Sequence, residues 1–149
     1  MSKQDEAQLI LKLYELRREE KMRAARDWFF AGFHPESKAD FDKTMFGEQG
    51  AYLRMVTSYW EMAAALVNHG AISLDLFTDT NGEYLVTFAK LEPFLAELRE
   101  AYGPQLLANL EKLIDSMPDG RERTVKVRER MLGIRAQMES GQARAAQQN

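Results

Sequence analysis

Side chains that could support catalysis or metal binding are few in this sequence. There are two histidines, His34 and His69, and no cysteine, which excludes disulfides, thiolate metal sites and cysteine nucleophiles. Neither histidine follows a glutamate by three residues, so the Glu-x-x-His ligand pairs of di-iron helical bundles are missing. His69 comes where we expect a helix to end, and an imidazole there can interact with the negative end of the helix dipole. We therefore predict no metal site, no cofactor and no catalytic residue.

Two carboxylate pairs have the spacing of one helix face. Glu97 and Glu100 are three residues apart, and Glu111 and Asp115 are four apart. Such pairs bind magnesium in helical nucleotide hydrolases, but only when a second acidic pair faces the same point. Arg99 interrupts the first pair and Lys112 the second, so we interpret both as solvated helix faces.

Glu61 differs from the other carboxylates because it follows Trp60 in the most apolar segment of the chain. An inward-facing carboxylate needs a partner, since an unpaired buried charge is very costly. We predict that Glu61 forms a salt bridge with Arg99, and Arg54 is the alternative partner. The remaining alternative is that Glu61 lies on the solvent side. Glu61, Arg99, Arg54 and Trp60 are the candidate binding residues.

The elements that position these residues all have helical periodicity. We predict an all-α fold, a single-domain bundle of about five main helices with short connecting helices, over residues 1–140. Residues 141–149 lack apolar anchors and are predicted to form a disordered tail. The predicted helices cover about residues 3–30, 39–45, 51–68, 74–77, 83–102, 104–117 and 123–140.

Local signals define the ends of these helices. Ser37 and Ser73 are predicted N-caps, and Gly70 is a predicted left-handed residue after the central helix at 51–68. Pro93 should kink or break the helix that contains it, whereas Pro104 suits a first helical position. The predicted core residues are Trp28, Phe29, Tyr52, Val56, Trp60, Leu66, Phe88, Leu91, Phe94, Leu95, Leu107, Leu110 and Ile114.

Charge is distributed unevenly along the chain, whose formal net charge is -3. Residues 31–120 carry six basic and fourteen acidic groups, whereas residues 121–149 carry seven basic and three acidic groups. We expect the basic last helix to dock on the acidic body of its own or a sister chain. The alternative is an anionic partner, such as nucleic acid or lipid headgroups, although no aromatic residue is present there to stack on bases. The predicted basic surface comprises Arg121, Arg123, Lys126, Arg128 and Arg130.

Apolar runs are short. The longest, Met62 to Val67, has six residues, against the ~20 that a membrane helix needs. The first residues are polar and partly acidic, and show no secretory signal. We therefore expect a cytoplasmic protein without a membrane span.

Several motifs together resemble an uncharacterised family of bacterial helical proteins. They are Tyr59-Trp60-Glu61-Met62-Ala63, Asn68-His69-Gly70-Ala71-Ile72, Leu74 to Phe77, Phe88-x-x-Leu91-x-Pro93 and Arg99, within about residues 50–105. The resemblance implies an all-helical fold of unknown function and draws attention to Glu61 and Arg99. It implies no reaction.

Three functional hypotheses follow from the sequence. The first is a non-enzymatic interaction or scaffold module, homodimeric through its N- and C-terminal helices and open to other protein partners; nucleic acid is a less favoured partner. The second is a small-molecule sensor with a pocket between the helix at 83–102 and the central helix at 51–68, since Met and aromatic side chains adapt well to ligands. The third, a metal-dependent hydrolase using the carboxylate pairs, is the least favoured.

Overall fold

The computed structural model describes residues 2–148, which form nine α-helices and one 3-10 turn and contain no β-strand. The predicted all-helical fold is thus confirmed. Met1 and Asn149, at the ends of the predicted domain and tail, lie outside the described residues. The elements are α1 (Lys3–Arg17), α2 (Glu20–Ala31), α3 (Lys38–Met45), α4 (Gly50–Asn68), α5 (Leu74–Thr80), α6 (Glu83–Leu91), the 3-10 turn (Glu92–Phe94), α7 (Leu95–Tyr102), α8 (Ala108–Ser116) and α9 (Gly120–Gln147).

Local capping signals act as predicted around the central helix. The Ser37 hydroxyl accepts the Asp40 backbone N–H at the start of α3, and Ser73 caps α5 in the same way. Gly70 follows α4 with φ of 83°, a left-handed conformation that glycine adopts without steric penalty. These short-range signals define the boundaries of α3, α4 and α5.

The predicted first helix over residues 3–30 is two helices, broken at Arg18 and Glu19. The Glu19 carboxylate accepts the Met22 backbone N–H and so caps α2. The Arg17 side chain at the end of α1 contacts α4, where its Nη1 donates to the Tyr59 hydroxyl at 3.0 Å. The charged segment is therefore a corner rather than the exposed waist of one long helix.

Of the kink or break predicted at Pro93, the structure shows the break, which divides the predicted helix at 83–102 into two helices. α6 ends at Leu91, the 3-10 turn places Pro93 in its first residues, and α7 begins at Leu95. Proline has no N–H to donate and its ring clashes with the preceding turn, which favours a tighter turn at this point.

The predicted start of α8 at Pro104 is wrong. α8 begins at Ala108, and the preceding Leu107 has φ of 55°, the only positive φ of a non-glycine residue within residues 2–148. This conformation costs about 1–2 kcal/mol for a residue with a Cβ, yet the Leu107 side chain is buried at 2% exposure. Burial of this leucine therefore holds the chain in a turn that local propensity does not favour.

The core surrounds α4, which packs most extensively against α8 and α2, while α6 packs against α9. Four predicted core residues, Trp28, Tyr52, Leu66 and Phe94, are only partly buried. The other nine are buried: Phe29, Val56, Trp60, Phe88, Leu91, Leu95, Leu107, Leu110 and Ile114.

α9 begins three residues before and ends seven residues after its predicted bounds of 123 and 140. Within the predicted disordered tail, residues 141–147 continue the helix. Every described side chain from Ala136 to Gln148 is exposed. The first half of α9 therefore belongs to the body, whereas the second half is exposed and only borders the end of α2, through Met138, Glu139 and Gln142.

Candidate functional site

Glu61 caps the beginning of α8. Its Oε2 accepts the backbone N–H of Asn109 at 2.9 Å and the side-chain amide of Asn109 at 3.0 Å, and its Oε1 accepts the backbone N–H of Leu110 at 2.8 Å. The first N–H groups of a helix have no partner within the helix, and a carboxylate also favours the positive end of the helix dipole. Leu107, the residue at the N-cap position, makes no side-chain capping bond. Glu61 therefore supplies the cap from another helix.

The predicted salt bridge between Glu61 and Arg99 is wrong. The Arg99 Nη1 donates to Glu111 Oε1 at 2.8 Å, and its Nε donates to the Leu106 carbonyl at 2.9 Å. Arg99 thus ties α7 to the turn before α8 and to α8 itself. The polar side of α4 faces the α8 N-terminus, where backbone N–H groups satisfy Glu61.

The two other candidate binding residues lie apart from this cap. Arg54 is exposed, and its Nη1 lies 3.9 Å from the sulfur of Met45 rather than beside Glu61. Trp60 is 1% exposed, and its buried Nε1 has no hydrogen-bond partner among residues 2–148. The Arg17 guanidinium lies 5.3 Å from the Trp60 ring centroid, a cation–π distance. The four candidates therefore do not form one site.

The predicted basic surface divides into two groups, of which the first docks α9 on its own chain. Arg121 forms salt bridges with Glu92, Glu111 and Asp115 at 2.6–2.7 Å. Hydrogen bonds to these carboxylates, that of Asp115 first, raise the pKa of Arg121. Burial alone would raise the pKa of Glu111, but its hydrogen bonds from Arg121 and Arg99 lower it. The acidic body thus binds the basic helix through Arg121.

Arg128 extends this docking along α9. Its Nη2 forms a salt bridge with Glu92 at 2.6 Å, and its Nε donates to the Ala89 carbonyl at 2.9 Å. Glu92 therefore accepts bonds from Arg121 and Arg128 with its two oxygens. Several charges sharing partners in this way stabilise more than isolated surface pairs do.

The second group, Arg123, Lys126 and Arg130, forms no salt bridge with a described residue. These three cations border a groove of about 490 Å³ between α2, α6 and α9, which we call the α9 groove. Its apolar side chains are Phe30, Leu85, Val86, Val127, Met131 and Ile134. Val127, Met131 and Ile134 of α9 therefore line one side of this groove.

The carboxylate pairs show no arrangement for a metal. Glu111 and Asp115 are both engaged by Arg121, and Glu97 and Glu100 are exposed on α7. Across residues 2–148, no group of three or more histidine, cysteine or acidic side chains could hold an ion. His69 is exposed after α4, and the Nε2 of His34 lies 3.0 Å from the Ala31 carbonyl at the end of α2.

A cavity of about 290 Å³ lies between α2, α4 and α6; we call it the α2/α4/α6 cavity. Val56 and Trp60 line it from α4, and Val86 and Thr87 line it from α6. The sequence predicted a pocket between these same two segments without the contribution of α2. The salt bridge between Arg26 and Glu83 borders it on the polar side.

Sequence reasoning missed Lys90. Its ammonium donates to the carbonyls of Phe29, Phe30 and Phe33 at 2.6–3.0 Å and lies 5.3 Å from the Phe29 ring centroid. Burial lowers the pKa of Lys90 to about 8. The only signal in the sequence was a single lysine among apolar residues of α6. Because its acceptors are about sixty residues away, this signal did not identify them.

A family model described as a domain of unknown function, DUF4760, matches residues 5–117. The chain belongs to the DUF4760 family. This match confirms the predicted resemblance to an uncharacterised helical family. No curated protein and no solved structure matches the chain.

The DUF4760 match covers the helices from α1 to α8 and ends at Met117, before α9 begins at Gly120. It therefore includes the Glu61 cap of α8 and the α2/α4/α6 cavity, but not the basic residues of α9. Within residues 2–148 of this DUF4760 protein, no helix combines the length and apolar composition needed to cross a membrane.

Proposed function

We propose that the protein is a non-enzymatic interaction module that self-associates through its terminal helices. The observation that carries this proposal is the position of the exposed large apolar side chains. Seven of the ten within the described range lie on α1, α2 and α9. These seven are Leu11, Tyr14, Leu16, Phe30, Val125, Leu132 and Met138. Concentrated exposed apolar side chains are typical of interaction surfaces.

The end of α9 supports the same proposal. All side chains from Ala136 to Gln148 are exposed, although the chain stays helical to Gln147. In proteins most helical stability comes from tertiary packing of an apolar face, which this segment lacks. A second copy would supply the missing packing surface.

Charge favours a second copy as the partner. Arg123, Lys126 and Arg130 border the α9 groove without ion pairs to described residues. Residues 31–120 carry an excess of acidic groups. Exposed carboxylates of one copy would attract these cations of another copy. Such complementary charges speed association and favour one relative arrangement of the two copies.

Light scattering coupled to size exclusion tests the proposal. We expect the full chain to be a dimer and the Leu132→Glu variant to be a monomer at the same loading. The matched control is Phe46→Glu, because Phe46 is also apolar and 81% exposed but follows α3. A monomeric full chain, or equal effects of the two substitutions, would contradict self-association through the terminal helices.

A truncation provides a second test. Deleting residues 136–149 removes no buried side chain among the described residues, so we expect an unchanged unfolding midpoint and a weaker dimer. Deleting all of α9 is unsuitable, because buried Thr124 and the salt bridges of Arg121 and Arg128 belong to the body. If the short deletion leaves the dimer affinity unchanged, the end of α9 is not part of the interface.

The second candidate function is a small-molecule sensor. The α2/α4/α6 cavity favours it, because Phe29, Val56 and Val86 give this cavity apolar walls. The metal-dependent hydrolase has no comparable support, since Arg121 occupies the carboxylates of Glu111 and Asp115.

A further inference from the structure

The α9 groove is large enough for an acyl chain. Its lining on α9 extends from Arg123 to Ile134, which corresponds to a length of about 16 Å at ~1.5 Å per helical residue. Its volume of about 490 Å³ lies within the ~300–1,000 Å³ that is typical of ligand sites. Because a cavity of ~150 Å³ holds benzene, this groove has room for a chain of about twelve carbons.

The wall of the α9 groove is apolar and incompletely covered. Six apolar side chains from three helices line it: Phe30, Leu85, Val86, Val127, Met131 and Ile134. Phe30 is 44% exposed, and four of the others, all except Leu85, are only half-buried. A hydrocarbon chain in the groove would cover this surface, and removal of apolar surface from water favours binding.

The charged residues that line the α9 groove are all basic. They are Arg123, Lys126 and Arg130, whose spacing of three and four residues places them along one edge of α9. Within residues 2–148 none of the three forms a salt bridge. The neighbouring acidic residues Glu122 and Glu129 are exposed and do not line the groove. The groove therefore combines an apolar wall with cations that no described carboxylate neutralises.

This combination favours a ligand that is both apolar and anionic. Nucleic acid would bind through its phosphates and would leave the apolar wall uncovered. A helix that lies on a membrane presents its apolar face to the lipid, whereas Val127 and Ile134 lie opposite α2 and α6 across the groove. A single amphiphilic molecule uses both the wall and the cations.

We propose that the α9 groove binds a free long-chain fatty acid, whose hydrocarbon chain packs on the apolar wall and whose carboxylate is bound by Arg123, Lys126 and Arg130. Burial of the chain supplies most of the affinity, and charge-assisted hydrogen bonds select the anionic headgroup. This proposal needs no second copy, because α2, α6 and α9 of one chain form the groove.

Isothermal titration calorimetry of the full chain tests it with dodecanoate below its micelle concentration. We expect saturable binding of one dodecanoate per chain. Decanoate, which is two methylene groups shorter, should bind about fivefold more weakly because less apolar surface is buried. Absence of saturable dodecanoate binding, or equal affinities for the two acids, would overturn the proposal.

A neutral comparison ligand tests the role of the cations. Decan-1-ol has the chain of decanoate without its charge, and we expect it to bind about tenfold more weakly than decanoate, the equivalent of one charge-assisted hydrogen bond. Equal or tighter binding of decan-1-ol would contradict a carboxylate bound by the three cations.

A pair of double variants places the site in the chain. Lys126 and Arg130 are both exposed, so we expect Lys126→Gln with Arg130→Gln to fold normally and to bind dodecanoate about tenfold more weakly. The matched control is Lys21→Gln with Arg23→Gln, because these two cations are exposed on α2 and do not line the groove. Equal affinities of the two double variants would show that dodecanoate binds elsewhere.

The Leu132→Glu variant separates this proposal from self-association. Leu132 does not line the α9 groove, so we expect its variant to bind dodecanoate with the affinity of the full chain, whether or not the full chain is a dimer. Loss of dodecanoate binding in Leu132→Glu would show that the site needs two copies and would overturn the proposal.

Two other occupants of the α9 groove have distinct signatures. Binding to vesicles of phosphatidylglycerol, without binding of dodecanoate, would assign the three cations to a membrane surface. A dimer that weakens in the Lys126→Gln and Arg130→Gln double variant, without binding of dodecanoate, would assign the groove to a second copy. Either result would overturn the fatty-acid site.

Discussion

Glu61 holds Asn109 through both the backbone N–H and the side-chain amide, at 2.9 and 3.0 Å. A glutamate of the central helix thereby replaces the missing side-chain cap of α8. Asn68, two turns along α4, reinforces the contact by donating to the Asn109 carbonyl at 2.9 Å. The polar side of α4 is therefore a docking surface for one helix end.

Removing this cap should destabilise the fold. We expect Glu61→Ala to lower the free energy of unfolding by about 2 kcal/mol, because two backbone N–H groups and one amide lose a charged acceptor. Glu61→Gln should lose less, about 1 kcal/mol, since one acceptor oxygen remains. Urea unfolding measures both, with exposed Glu97→Ala as the control. A loss no larger than that of the control would contradict the capping role.

Lys90 should stabilise the end of α2. We expect Lys90→Met to lower the free energy of unfolding by about 2–3 kcal/mol, because three carbonyls lose their shared donor while the apolar stem is kept. Lys112→Met is the matched control, since Lys112 is exposed on α8. Guanidinium unfolding of both variants compares them. Similar midpoints for the two would show that the Lys90 ammonium is dispensable.

Two glycines of α9 should respond oppositely to alanine. A Cβ on Gly120 would lie 1.8 Å from the Ile114 carbonyl oxygen, so Gly120→Ala must displace backbone and should cost about 2 kcal/mol or more. A Cβ on Gly133 meets nothing within 4 Å. Gly133→Ala should stabilise by about 0.5–1 kcal/mol through helix propensity. In thermal unfolding we expect a lower midpoint for Gly120→Ala and a higher midpoint for Gly133→Ala. Midpoint shifts in the same direction would contradict this account.

His34 should make stability depend on pH. Burial lowers the pKa of His34 below its ordinary value of 6.5, although the Ala31 carbonyl opposes the shift. Between the folded and unfolded pKa values the unfolded chain binds more protons, so the contribution of His34 to stability falls as the pH drops below 6.5. His34→Asn removes this titration. We expect the difference in unfolding free energy between the two proteins, measured with urea, to change as the pH drops below 6.5. A difference that stays constant with pH would exclude the effect.

Short-range signals in the sequence determined the all-helical fold and several boundaries. Helical periodicity identified α4, and Ser37, Ser73 and Gly70 marked helix ends. Such signals act within one or two turns, so they are present in the sequence itself. The concentration of basic residues after residue 120 also predicted that the last helix docks on the acidic body. Salt bridges from Arg121 and Arg128 to Glu92 make this contact.

Tertiary structure alone decided which partner each polar residue takes. Glu61 was recognised from its apolar surroundings, but α8 rather than Arg99 satisfies it. Lys90 reaches carbonyls about sixty residues away, and burial forces Leu107 into a left-handed turn. Periodicity tells which side of a helix is polar but not which element lies opposite. That choice depends on how all helices pack at once, because each buried polar group must find its acceptor or donor in the assembled core.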